Sequence, residues 1–130
     1  MIEVIYKEES YDIIGACMEL HHNLGAGFLE EVYKGALEYE FKKRAIPFER
    51  ERKYEVNYKE IVLPHTFYAD FVVFGKIILK VKAVVAICDQ AIAQSINYLK
   101  VSNNKLAMVV NFGEPKLNYK RLVLEKKNKY

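Results

Sequence analysis

The stretch FYADFVVFGKIILKVKA, residues 67–83, decides the fold of this chain. It contains two apolar runs rich in aromatic and branched aliphatic residues, and the segment Phe74-Gly75-Lys76 separates them. This pattern predicts two antiparallel strands, at about residues 66–73 and 77–83, joined by a tight turn that contains Gly75.

Three charged residues interrupt these apolar runs. A three-residue turn pairs Val73 with Ile77, and this register places Asp70 opposite Lys80. Lys80 and Lys82 are two residues apart and therefore share a face of their strand. Asp is poorly suited to a strand interior, so its burial needs a partner. Two interpretations stay open here: a functional site, or a cross-strand salt bridge that protects a sheet edge.

Two helices are predicted upstream of the hairpin. The first has Ser10 or Asp12 as its N-cap and ends at Leu24, with Gly25 as a left-handed C-cap. The second covers about residues 29–44 and ends with three basic residues, which suit the C-terminal end of a helix dipole.

The second predicted helix starts with two adjacent acids that helical phase separates. Glu30 falls on the apolar stripe that contains Tyr33, whereas Glu31 falls with Lys34 on the solvent side. A carboxylate on a buried stripe is costly without a partner. We therefore expect Glu30 to be substantially buried and close to the charged residues of the hairpin. The alternative is a capping acid in the first helical turn.

The remaining pattern completes one predicted domain, residues 1–130. Strict alternation over residues 48–58 predicts a half-exposed strand, with the even positions on one face and the odd positions on the other. A third helix is predicted at about 89–101, a buried strand at 106–112 and an edge strand at 117–124. The order is α-α-β-β-β-α-β-β, and the helix between the third and fourth strands permits one parallel crossover.

Composition excludes several classes of protein. With 52% hydrophobic and 28% charged residues the chain is typical of globular domains rather than disordered ones. No apolar run approaches the roughly 20 residues of a membrane span. Cys17 and Cys88 lack the spacing of a metal site, which favours free thiols in the cytoplasm. The chain has no P-loop, no GxGxxG motif and no supported catalytic triad.

Positive charge is concentrated at the C-terminal end. Residues 1–115 hold 14 basic and 16 acidic residues, whereas residues 116–130 hold six basic residues and one acid. This end, which includes a short basic tail at about 125–130, is a candidate for phosphate contacts. The alternative is a solvated strand edge followed by a frayed tail.

Six short motifs, in matching order and spacing from about residue 11 to 124, resemble a known family. Gly27-Phe28-Leu29-Glu30-Glu31-Val32-Tyr33 matches the motif that names the GxxExxY protein family. The other matches are Phe48-Glu49-Arg50-Glu51, Tyr68-Ala69-Asp70-Phe71, Lys82-Ala83-Val84, Gln94-Ser95-Ile96-Asn97-Tyr98-Leu99-Lys100 and Asn111-Phe112-Gly113. That family is similar to the PD-(D/E)XK nuclease superfamily.

The resemblance implies a restriction-endonuclease-like core, with a mixed β-sheet flanked by helices. The site residues that it implies are a helix acid at Glu30, a metal-binding Asp at Asp70, a catalytic Lys at Lys82 and a helix Gln at Gln94. In active superfamily members the Asp and a Glu two residues before the Lys hold magnesium, which polarises the phosphodiester and activates water. Lys80 stands in the place of that Glu, and Tyr68 stands where relatives commonly carry Arg.

The substitution at Lys80 leads to the functional expectation. We expect magnesium-dependent cleavage of nucleic acid to be reduced or lost, with the Lys80 ammonium near the place of the ion. We expect no cofactor in this chain; if the site is still active, the expected cofactor is Mg²⁺. The expected partner is DNA or RNA, with no membrane and with a homo-oligomer left open. The alternative is a non-catalytic nucleic-acid-binding, protein-interaction or oligomerisation module.

Overall fold

The computed structural model of the chain describes residues 4–124 and has a five-stranded mixed sheet flanked by helices. The elements in chain order are α1 (Lys7–Leu24), α2 (Glu30–Lys43), β1 (Phe48–Tyr58), β2 (Ile61–Val73), β3 (Ile77–Lys82), α3 (Asp89–Ser102), β4 (Leu106–Asn111) and β5 (Asn118–Val123). The α/β class and the predicted order of elements are confirmed. Within the described residues, every helix is too short or too polar to cross a bilayer.

The strands lie side by side in the order β1-β2-β3-β4-β5. Only β3 and β4 pair in parallel, and α3 forms the crossover between them, as the sequence predicts. The outer strands β1 and β5 are the edges. All six residues of β4 are buried, which explains its uninterrupted apolar run.

The sheet separates two apolar clusters. On one face α1 and α2 pack against the sheet, and the largest buried rings there are Tyr33, Phe41, Phe71 and Phe112. On the other face Leu99 of α3 packs against Ile78 of β3. Successive residues of β3 alternate between the two clusters, which is the expected behaviour of a strand covered by helices on both sides.

The predicted N-cap of α1 is wrong. The helix begins at Lys7, so Ser10 and Asp12 lie inside it, and Ser10 is buried against the core instead of capping a free end. Residue Tyr6 before the helix is left-handed and also packs against the core, which extends the helix by one turn. Gly25 ends α1 with φ of 69°, and its N–H donates to the last turn.

Strand β2 begins at Ile61, five residues before the predicted start, although it contains Pro64. The register between β1 and β2 shifts in this region, between Glu55 and Asn57. Pro64 lies opposite that irregularity, where its missing N–H is not needed for a regular ladder.

Strand β1 departs from strict alternation at Glu51. Its φ of 56° is left-handed, a strained conformation for a non-glycine residue inside a strand. Phe48 packs against the cluster under α1 and α2, whereas Tyr54 packs against the cluster under α3. The prediction that all even positions of residues 48–58 share one face is therefore wrong beyond Glu51.

The two cysteines are free, as predicted. Cys17 is buried within α1, and burial raises the pKa of its thiol to about 12. Cys88 is exposed just before α3.

Candidate functional site

Asp70 lies where the hydrogen-bonded ladder between β2 and β3 ends. Val73 pairs with Ile77, as the three-residue turn predicts, and continuing that register brings Asp70 opposite Lys80. The Asp70 side chain is only 6% exposed, and its Oδ2 accepts the Val81 N–H at 2.7 Å. The same oxygen lies 3.5 Å from Lys80 Nζ. The predicted pairing of Asp70 with Lys80 is confirmed.

A second ammonium group reaches Asp70 from α2. Lys34 Nζ lies 3.0 Å from Asp70 Oδ1. The same nitrogen lies 3.7 Å from Glu30, 3.3 Å from Glu31 and 3.4 Å from Glu51. We call these four carboxylates, Glu30, Glu31, Glu51 and Asp70, the acid cluster. Lys34 touches all of its members.

The burial of Lys34 contradicts the prediction that this residue lies on the solvent side of α2. Its side chain is 8% exposed. Helical phase gives the positions of residues around α2, and it correctly separates Lys34 from the apolar stripe. It contains no information about the strands that pack beside the helix. The carboxylates of β1 and β2 then cover this flank of the helix. The sequence signal was the spacing of Lys34, three and four residues after two acids.

The neighbouring acids keep Lys34 charged. Burial alone lowers the pKa of an ammonium group. The hydrogen bond and the charge of Asp70, together with Glu31 and Glu51, outweigh burial and raise the pKa of Lys34 above its ordinary value. The site therefore contains a fixed positive charge between carboxylates.

Lys80 is held from two sides. Its Nζ contacts Asp70 and also lies 5.0 Å from the centre of the Tyr98 ring. Tyr98 stacks on Phe67 with ring centres 4.2 Å apart, and Phe67 stacks on Tyr54. A column of three aromatic rings thus supports the ammonium of Lys80 beside Asp70.

The other residues implied by the resemblance are less closely assembled. The Glu30 side chain is 41% exposed, so the prediction of substantial burial is wrong: Glu30 lies beside the exposed Glu31 at the start of α2, and only Tyr33 of this turn is fully buried. Glu30 is connected to Asp70 through Lys34. Lys82 is half-buried at the end of β3 and forms no ion pair with any of residues 4–124. Gln94 is exposed on α3. The roles implied for these residues stay predictions.

Hydrogen bonds from the motif Asn111-Phe112-Gly113 fix the segment after Lys82. The sequence alone indicates no role for this motif. The fully buried Asn111 side chain accepts the N–H groups of Val84 and Gly113, both at 3.0 Å, and donates to the Val84 carbonyl at 2.9 Å. The Phe112 N–H donates to the Lys82 carbonyl at 2.8 Å. We call this arrangement the Asn111 clasp, and it holds the end of β3.

The oxygen atoms near Asp70 do not fit a divalent ion as they stand. Within residues 4–124, no three Asp, Glu, His or Cys side chains are grouped to hold a metal ion. Asp70 instead presents its oxygens to two ammonium groups and a backbone N–H. Metal–oxygen bonds are about 2.0–2.6 Å long. The carboxylate oxygens around Lys34 lie 3.0–3.7 Å from its Nζ, so they are too widely spaced for an ion at that point.

Comparison with known proteins supports the fold. A family model described as PD-(D/E)XK nuclease superfamily matches residues 7–122. A crystal structure of a protein designated SSO0001 is similar, with a TM-score of 0.57 and 16% sequence identity. The match covers 94% of this chain but 61% of that chain, and at this identity it shows the fold alone. A search of curated proteins finds no match.

Proposed function

Because the chain belongs to the PD-(D/E)XK nuclease superfamily, we propose that it derives from a magnesium-dependent phosphodiesterase that acts on nucleic acid, and that its own cleavage activity is reduced or lost. Within the superfamily we place it in the GxxExxY family, on the motif at residues 27–33. The observation that carries the proposal is the contact between the Lys80 ammonium and the Asp70 carboxylate.

Lys80 changes both the charge and the number of ligands at the site. The resemblance puts a metal-binding Glu at this position, and the chain has a cation there instead. An ion approaching Asp70 therefore has one carboxylate fewer and meets a positive charge that is 13% exposed and supported by Tyr98. Charges this close and this weakly solvated interact strongly. Magnesium binding at Asp70 is thus opposed by repulsion as well as by the lost ligand.

The proposed partner is nucleic acid, DNA or RNA, in the cytoplasm. Lys116 and Lys120 are exposed near β5, within the basic C-terminal region. Arg121 is engaged inside the fold, where it donates to the Ile5 carbonyl. The tail residues Lys126, Lys127 and Lys129 lie outside the described residues, and their part in phosphate binding stays a prediction. Contacts of this kind make binding depend on salt and not on sequence.

A magnesium titration of the wild type beside Lys80→Glu tests the loss of cleavage. Metal binding is measured by calorimetry, and cleavage by nicking of plasmid DNA and of a structured RNA. We expect no magnesium-dependent nicking by the wild type. We expect Lys80→Glu to bind magnesium in the millimolar range, and more strongly than the wild type does. Lys80→Met is the control, because it removes the charge without adding an oxygen ligand.

The opposite result is equally clear. Nicking by the wild type that requires magnesium and disappears in Asp70→Asn contradicts the proposal. Binding of nucleic acid is measured separately, as the dependence of affinity on salt. Removal of Lys126, Lys127 and Lys129 should flatten that dependence. Self-association without any nucleic-acid binding would instead favour the oligomerisation role.

A further inference from the structure

We infer that Lys34 is a built-in cation of the acid cluster, and that it keeps divalent ions out of this cluster in the native chain. The inference rests on the proposed function, because it concerns the same site and explains how that site is kept free of metal. It also predicts that removal of this one ammonium group leaves a site for a hard divalent cation.

The position of the Lys34 ammonium supports this inference. Lys34 Nζ lies within 3.0–3.7 Å of an oxygen from each of the four carboxylates. Lys80 contacts one member of the cluster, Asp70, and otherwise an aromatic ring. Lys34 is therefore the cation that contacts all four acids. The expectation that the Lys80 ammonium lies near the place of the ion stays a prediction, supported by its contact with Asp70. Lys80 opposes a divalent ion at Asp70 alone.

The balance of charge in the acid cluster also supports it. The acid cluster carries four negative charges, and the cations that contact it are Lys34, Lys80 and Arg50, which pairs with Glu31. Without Lys34, four carboxylates face one another, with the Lys80 ammonium at one margin and the Arg50 guanidinium at the other. Several carboxylates that surround a common point are the environment that hard cations such as Mg²⁺, Mn²⁺ and Ca²⁺ prefer.

The acid cluster can also contract around an ion. Metal–oxygen bonds are shorter than the contacts with Lys34 by roughly 1 Å. Asp70 is fixed by the Val81 N–H, but the three glutamates are between 41% and 72% exposed and can rotate. They can therefore close around an ion once the ammonium group is absent.

The test uses Mn²⁺ as the probe and the full chain. Val81 is the reporter, because its amide donates to Asp70 and is broadened in NMR spectra when Mn²⁺ binds there. We expect no selective broadening of Val81 in the wild type. In Lys34→Met, which keeps the length of the side chain but not the charge, Val81 should broaden, and Mn²⁺ affinity by calorimetry should rise at least about tenfold. Added Mn²⁺ should also raise the melting temperature of this variant.

Three controls define the site. Lys34→Arg keeps the charge and should behave like the wild type. Lys80→Met removes the other ammonium from Asp70 and should gain less affinity than Lys34→Met. The double variant Lys34→Met with Asp70→Asn should lose the gain. If Lys34→Met does not fold, Lys34→Gln, which retains N–H donors for Asp70, goes through the same titration.

Two results overturn the inference: broadening of Val81 by Mn²⁺ in the wild type, or a folded Lys34 variant whose affinity equals that of the wild type. Neither depends on cleavage. A wild type that binds Mn²⁺ at Asp70 without nicking nucleic acid removes the inference and leaves the proposed function. A wild type that nicks nucleic acid with magnesium removes the proposed function by a separate measurement.

Discussion

The acid cluster and the Asn111 clasp border the same end of β3, but they are stabilised in opposite ways. The clasp is built on the fully buried Asn111 amide, which bonds three backbone groups at 2.9–3.0 Å and also donates to the Glu114 carboxylate at 2.6 Å. The cluster is charged and partly exposed, and the Lys34 ammonium lies among its acids. One region therefore fixes the end of β3, whereas the other can respond to its ionic surroundings.

This difference has an energetic cause. The Asn111 amide and its three backbone partners are neutral, so these hydrogen bonds have no charge to titrate or screen. The stability of a group of carboxylates depends on conditions, because the repulsion among them changes with the cation and with the salt concentration. Variants of the two regions should therefore differ in the size of their effects and in their dependence on salt.

The largest effect is expected for Gly113→Ala, which breaks the clasp. An added Cβ would lie 2.3 Å from the Val84 carbonyl oxygen and 2.5 Å from its nitrogen. Because these are backbone atoms, the clasp must open, and we expect a loss above the ~1–3 kcal/mol that is typical of overpacked sites. Urea unfolding measures it.

The matched control is Gly35→Ala, in the middle of α2. A Cβ there meets no atom within 4 Å, so this change should stabilise the chain by about 1 kcal/mol. Equal effects of the two substitutions would show that the clasp does not hold β3 in place.

The second effect is expected for Asp70→Asn, which breaks the centre of the cluster. The amide keeps an acceptor for the Val81 N–H but leaves Lys34 and Lys80 without their buried negative charge. Removal of one partner from a buried ion pair costs about 3–5 kcal/mol. We expect the lower end here, because the exposed glutamates still compensate Lys34. A loss below about 1 kcal/mol in urea unfolding would contradict the proposed strength of these contacts.

The sequence predicts the parts of this site that depend on local spacing. The register that pairs Asp70 with Lys80 follows from a three-residue turn and from strand alternation. The burial of Lys34 depends instead on how β1 and β2 pack over α2, and helical phase contains no information about that packing. Glu51 follows the alternation of β1 in the sequence but not in the structure, because a single left-handed residue changes the faces of the strand. No local pattern marks that residue.

The smallest effects are expected at the exposed members of the cluster, and they sharpen the comparison most. Glu51→Gln and Glu31→Gln each remove one charge near Lys34, at 3.4 Å and 3.3 Å. Glu31 is 72% exposed and Glu51 46%, so solvent screens Glu31 more completely. We expect both losses to be below about 1 kcal/mol, with the larger one at Glu51.

Salt separates these two small effects from the effect of the clasp. At 1 M salt the screening length is about 3 Å, so both losses should approach zero, and that of Glu31 should do so first. The loss in Gly113→Ala arises from overlap of neutral atoms and should not change with salt. Urea unfolding of the three variants at low and high salt measures this. If salt weakens the effect of Gly113→Ala as much as that of Glu51→Gln, the contrast between a steric clasp and an electrostatic cluster is wrong.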